Sequence, residues 1–327
     1  MIFVHIGLGK TATTSLQKYV FPELASVTGF TYNHHDARRI LGKAALFPLS
    51  SREKEELRLI FMNGNHIVSL ESLVGWNPVT WSEFAERNLE VFGEDAVILI
   101  TMREPLEWMT SVYQEMVHEG NITTPQEFFI NSAQWELAER ISSRYRLDYF
   151  NVDSVDFHDL YDHYKSRFRN VIVMDIKNIN NLKFLDFFQD INTEERERIK
   201  NILITKRKLH RGYSSSAMSL TLAFEYFLNV FRLSTVGSQS RRLIKYEGFF
   251  SHKELGFSKK SEREPLELSL TGKIGKWMKA RIIPRWSSFI KGGYDRVIPY
   301  KKYKLPHDVY VNESLLVENR KFLEEQG

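Results

Sequence analysis

The sequence predicts an α/β protein, with a central parallel sheet flanked by helices and a helical C-terminal cap. Three observations point there. Four short apolar, β-branched runs, at residues 2–6, 66–70, 96–102 and 170–174, read as buried strands. Helical patterns alternate with them, which is the order of βαβ units. The first run also leads at once into a glycine-containing loop and then a helix. In an open parallel sheet the ligand site lies at the C-terminal ends of the strands.

In chain order, the strand at 2–6 precedes a helical pattern over 13–24, and the strand at 66–70 comes next. A helix over 81–92 leads into the strand at 96–102, and one over 107–118 leaves it. A helix over 157–168 leads into the strand at 170–174. After about residue 205 the character changes. Residues 214–231 form a long apolar, aromatic helix pattern, 249–265 are charged and loop-like, 271–304 are rich in Lys, Arg, Trp and Tyr, and 312–326 read as a charged helix. No Gly/Ser/Pro linker separates the halves. The chain therefore reads as one domain, 1–327, with an α/β core over 1–205 and a helical, basic cap over 206–327 that completes the site.

A chain of 327 residues, 43% hydrophobic and 26% charged, can bury a sizeable core. The 45 Lys+Arg against 41 Asp+Glu leave a net charge of +4, a mild basicity that suits an anionic ligand. The absence of cysteine excludes disulfides, thiolate metal sites and cysteine nucleophiles, and fits a reducing compartment. No apolar run approaches the roughly 18 residues needed to span a bilayer. The N-terminus lacks the basic and apolar regions of a signal peptide. The expected location is the cytoplasm.

The chain opens with MIFVHIGLGKTATTSLQKYV. Gly7-Leu8-Gly9-Lys10-Thr11 joins the first strand to a helix start, where backbone N–H groups and the helix dipole favour an anion. Lys10 adds a point charge, and four of the next five residues carry hydroxyls. The same residues could be no more than a turn and a helix cap. Gly9-Lys10-Thr11 matches the end of a Walker A motif, but the first glycine of that motif would fall on Val4. That departure counts against a P-loop kinase or NTPase using ATP and Mg²⁺. The run K-T-A-T-T-S-L-Q instead resembles the 5′-phosphosulfate-binding loop of sulfotransferases that use 3′-phosphoadenosine 5′-phosphosulfate (PAPS), in particular bacterial, carbohydrate-type members. Ala12 stands where that family commonly has glycine.

The resemblance implies a P-loop-like sheet and PAPS as co-substrate, with 3′-phosphoadenosine 5′-phosphate (PAP) as product. Gly9, Lys10, Thr11, Ala12, Thr13, Thr14 and Ser15 would hold the 5′-phosphosulfate, and Lys10 would neutralise the leaving group. It also implies an arginine at the end of a later strand and a serine eight residues on, both for the 3′-phosphate. VILITMREPLEWMTSVYQ supplies Arg103 and Ser111 at that spacing. An arginine fork suits a phosphate. Taken alone, each could be a solvated surface residue. A late segment, KLHRGYSSSAM, resembles a stretch that returns to the nucleotide, making Arg211, Gly212 and Tyr213 further candidates; a helix-capping loop is the competing reading.

Sulfuryl transfer to a hydroxyl needs a base near the sulfate. Glu71 directly follows the second predicted strand, at the ligand edge of the sheet; as alternatives it could cap a helix or pair with an arginine. The rival is His35, in a cluster with His34 and Asp36 on the loop after the first helix. His5 reads as a packed strand residue, and Asp175 as the acidic end of a late strand, with a Walker B aspartate as the competing role. No metal-ligand spacing is present, and no metal is expected. The acceptor implied is a carbohydrate or glycolipid hydroxyl. The basic, aromatic stretch 271–304 is either a solvated cap, a grip for an anionic or lipid-linked acceptor, or a peripheral membrane contact. Nucleic acid is not the expected partner. A non-catalytic nucleotide-binding protein on the same scaffold is the third reading of the whole chain.

Overall fold

The computed structural model describes residues 1–44, 48–118, 123–138, 149–206, 212–230 and 300–326. At its centre is a parallel sheet of five strands: β1 (Ile2–His5), β2 (Thr31–Tyr32), β3 (His66–Ser69), β4 (Val97–Met102) and, after the small parallel pair β5 (Phe129–Ile130) and β6 (Phe150–Asn151), β7 (Asn170–Asp175). The order across the sheet is β2-β3-β1-β4-β7. Successive side chains point to opposite faces of a strand, and here both faces are apolar. Val4, Val68, Ile98 and Ile100 enter one core cluster. Phe3, Ile67, Val97, Leu99 and Met174 enter the other. Phe3 and Val4 are both 0% exposed, so helices cover the sheet on both sides.

Helical structure begins with α1 (Thr13–Ser15), passes through a π-helical turn (Leu16–Val20) and continues as α2 (Phe21–Thr28), which stops at Gly29 in a left-handed conformation (φ 71°). Two helices, α3 (His35–Ala44) and α4 (Ser51–Met62), lead to β3. A capping box between Ser50 and Glu53 starts α4. The helices on either side of β4 are α5 (Trp81–Phe92) and α6 (Pro105–His118). Beyond them come α7 (Pro125–Phe128), α8 (Ser132–Ala138), α9 (Phe157–Lys165), α10 (Thr193–Lys206), α11 (Ser215–Val230) and α12 (Glu313–Gln326). Among the described residues, no helix is long and apolar enough to cross a membrane.

The α/β class and the four long strands agree with the sequence. Several elements were not marked by the sequence, among them β2, β5, β6, α4 and α10. The edge strand β2 is only two residues long, too short to show a period. His35 and Asp36 open helix α3 rather than lying on a loop. The last helix is tied to the body by Asn319, which is 1% exposed. Its amide accepts from the Phe157 N–H at 2.7 Å and donates to the Val155 carbonyl at 2.6 Å.

The register fixes what faces what at the sheet edge. His5 lies level with Ser69 on β3 and with Leu99 on β4. The chain goes from β1 to the edge strand β2, returns inward to β3 and then crosses β1 to β4, so β1 marks the switch point where loops separate and leave a crevice. The loops after β1, β3 and β4 therefore open side by side. They carry Lys10, Glu71 and Arg103.

Candidate functional site

The loop after β1 is held from beneath by a buried polar chain. His5, fully buried, bonds through Nδ1 to Ser69 Oγ at 2.7 Å and through Nε2 to Thr101 Oγ1 at 3.1 Å. Thr101 Oγ1 meets Thr11 Oγ1 at 2.8 Å, and the Thr11 hydroxyl donates to the Leu8 carbonyl. Burial pushes the imidazole down to about 3, so it is neutral at ordinary pH. This is the packed role expected for His5. It also turns the Thr11 side chain inward, and the Thr11 N–H bonds to Leu8 O at 3.2 Å. Thr11 thus shapes the loop from below.

Two glycines admit close neighbours. A Cβ on Gly7 would come within 2.2 Å of Thr101 Oγ1 and 2.5 Å of His5 Nε2. A Cβ on Gly9 would meet the Trp76 ring at 2.3 Å. The Gly9 carbonyl also accepts from the buried Trp108 indole at 2.9 Å, which ties the loop to α6. Lys10 and Ala12 both adopt left-handed backbone, with φ 70° and 59°. Backbone of this kind can turn successive N–H groups into one concavity that suits an anion. Among the described residues the amides of Ala12, Thr13 and Thr14 make no backbone hydrogen bond outside the helices and strands. A left-handed Ala costs about 1–2 kcal/mol relative to glycine, less the entropy that glycine adds to the unfolded chain. Ala12→Gly is expected to raise the melting temperature slightly and leave ligand affinity intact. Thermal denaturation checks this, and a lower melting temperature would contradict the backbone account.

Lys10 Nζ pairs with Glu115 Oε2 at 2.8 Å, and Thr13 Oγ1 donates to Glu71 Oε1. Burial pushes the Glu71 carboxyl up to about 7, opposed by Lys10 and reinforced by Glu115. A carboxyl raised toward neutral pH, tied to the loop by Thr13 and within the field of Lys10, has the properties that a base at this position would need. Glu115 was not expected from sequence. The signal was present, because Glu115 lies one helical turn beyond Ser111 and shares its face.

On the other side of the crevice, Arg103 Nη1 donates to Ser111 Oγ at 3.0 Å, so the residues eight apart do meet. The Nε–Nη2 edge of the guanidinium is engaged as well. Nε and Nη2 donate to Glu107 Oε2 at 3.1 and 2.9 Å. Ser111 donates its own hydrogen to the Glu107 carbonyl at 2.9 Å. Lys302 completes the group, reaching Glu107 Oε1 at 2.7 Å. The Lys302 hydrogen bond is the largest influence on the Glu107 carboxyl; burial opposes it, Arg103 adds to it, and the carboxyl sits below the usual range. Next to them Glu104 accepts from Arg320 of α12 at 2.8 Å.

Of the late candidates, Arg211 lies outside the described residues. Gly212 packs on α6, where a Cβ would come within 2.0 Å of Gln114 Oε1. Tyr213 is fully buried; its N–H donates to Gln114 at 3.2 Å and its hydroxyl meets His118 Nδ1 at 3.2 Å. The chain beyond Tyr213 runs beside 301–302 through a Ser214–Lys302 bridge, which delivers Lys302 to Glu107. Most of the basic stretch, 271–299, lies outside the described residues. Thr14 is half-buried and Ser15 buried. The His35 side chain is 92% exposed and pairs with Asp36 at 3.3 Å. Asp175 accepts from the Lys177 N–H at 3.0 Å on a strand that β4 separates from β1. Val4 is buried mid-strand. Among the described residues no group of three or more His, Cys, Asp or Glu is placed to hold a metal.

No protein-family model matches the chain, and no curated protein matches it in sequence.

Proposed function

We propose that the chain is a PAPS-dependent sulfotransferase acting on a hydroxyl acceptor, of which a glycan or glycolipid is the class favoured by the opening motif. The observation that carries the reading is the meeting of Arg103 and Ser111 at 3.0 Å, on the same sheet edge as Lys10 and Glu71. That is one anion grip for a nucleotide 3′-phosphate and one loop for its 5′-phosphosulfate. In the proposed step the acceptor oxygen attacks sulfur in line and Glu71 takes the hydroxyl proton. The bond from sulfur to the bridging phosphate oxygen breaks, and PAP leaves with its new charge facing Lys10. Two observations weigh against a kinase using ATP and Mg²⁺. Val4 is a buried strand residue, and Asp175 caps its own turn.

The test is thermal stability with PAP, with AMP, and with ATP plus Mg²⁺. A ligand at about 100 times its dissociation constant adds roughly 2.7 kcal/mol, which moves the midpoint by several degrees for a chain of this size. Stabilisation by PAP, with little from AMP or ATP, is expected. Stabilisation by ATP with Mg²⁺ alone would overturn the reading.

A further inference from the structure

Helix α6 carries Glu107, Ser111 and Glu115 at successive spacings of four, so they line one face. Both carboxylates on that face hold a cation of the site. Glu107 occupies the fork of Arg103, with contacts at 2.9 and 3.1 Å, and Glu115 occupies Lys10 at 2.8 Å. The Arg103 side chain is 21% exposed and that of Lys10 35%, so each cation is partly withdrawn from water and needs a counter-charge. The contact of Glu107 with Nε and Nη2 uses one of the two bidentate edges that a guanidinium offers a phosphate.

We infer that Glu107 is an internal counter-ion that sets the affinity of the Arg103–Ser111 site for phosphate, so that binding there is an exchange of carboxylate for phosphate. A phosphate cannot take the Nε–Nη2 edge of Arg103 while Glu107 holds it. Two features make the exchange feasible. Glu107 is bonded through its other oxygen to Lys302, whose side chain is 56% exposed, so a released Glu107 keeps a partner. The carboxylate is itself 44% exposed and can turn to solvent without being stranded. Ser111 must also turn, since its hydrogen now lies on the Glu107 carbonyl. Glu115 plays the same part for Lys10. The two carboxylates thus make binding selective, because an anion must beat a neighbouring carboxylate at each end it occupies. This inference rests on the proposed function only for the identity of the phosphate compound.

Calorimetric titration of the full chain tests it, with adenosine 3′-monophosphate, adenosine 5′-monophosphate and inorganic pyrophosphate as probes. Glu107→Gln is expected to bind the 3′-monophosphate up to about fivefold more tightly, the gain from removing a competing, partly exposed ion pair. The 5′-monophosphate should change little. Glu115→Gln should show the opposite preference. Glu107→Asp retains the charge for Lys302 but draws it back from Arg103 by one methylene; it should tighten the 3′-monophosphate by a smaller factor and guards against a misfolded glutamine variant. Pyrophosphate separates this inference from the sulfotransferase reading. If PAP fails to stabilise the protein but Glu107→Gln still tightens pyrophosphate, the exchange stands and the nucleotide assignment falls. Unchanged or weaker binding of every phosphate probe by folded Glu107→Gln and Glu107→Asp would overturn the exchange.

Discussion

Glu71→Gln is expected to remove most turnover and at the same time to stabilise the fold at pH 8. Loss of a general base costs about 10²–10⁴ in rate. The stability effect has the opposite sign because the Glu71 carboxyl is raised by burial from 4.5 to about 7. Between those values the folded state binds more protons than the unfolded state, so stability falls as pH rises through the window. Above pH 7 the charged, desolvated carboxylate costs the fold on the order of 3 kcal/mol, from 1.36 kcal/mol per unit. Glutamine is neutral throughout and can still accept from Thr13. Its variant should therefore lose the decline in melting temperature between pH 4.5 and 7. The acidic limb of kcat/KM, centred near pH 7 in the parent, should also vanish. Denaturation scans across pH and a pH–rate profile check both halves. Full turnover in a stabilised Glu71→Gln would mean that the residue is structural and that the base lies elsewhere.

Arg103→Ala is expected to weaken PAP by about 1.5–3 kcal/mol, the range for a hydrogen bond to a charged group, with a much smaller effect on AMP. The contrast between the two nucleotides isolates the 3′-phosphate. Truncation leaves Glu107 with Lys302 as partner, so the fold loses a partly exposed pair that is worth little by itself. Side-by-side titrations with PAP and AMP make the comparison. Equal losses for both ligands would place Arg103 outside the 3′-phosphate contact.

The strands and the site differ in how much of them the sequence carried. β1, β3 and β4 were legible because a strand buried on both faces must be apolar at nearly every position; β7, at the sheet edge and only half-buried at its start, was legible through its Val-Ile-Val-Met run. β2 was not, since two residues at an edge have no period. Helices α3, α4 and α10 are rich in charge and expose long polar faces, so their thin apolar stripes were hard to separate from loop. The loop after β1 was legible through its glycines and hydroxyls, and the pair Arg103 and Ser111 only through the family resemblance that the loop suggested. Lys302 was not, because its partner Glu107 lies 195 residues away and only the path beside Ser214 joins them. The inward turn of Thr11 was equally hidden. A threonine in a phosphate-type loop reads as a ligand group until the buried Thr101 beneath it is seen.

The polar chain under that loop has a direction. Thr11 has one hydroxyl hydrogen, and it points to the Leu8 carbonyl. Thr11 must then accept from Thr101, and Thr101, its hydrogen committed, must accept from His5 Nε2. The imidazole therefore carries its proton on Nε2 and presents a bare Nδ1, so the Ser69 hydroxyl donates to it. One carbonyl in the loop thus dictates every hydrogen back through three adjacent strands, from Ser69 on β3 through His5 on β1 to Thr101 on β4. The relay is one-way and contains no rotor with a second choice, which gives the loop a single floor to rest on.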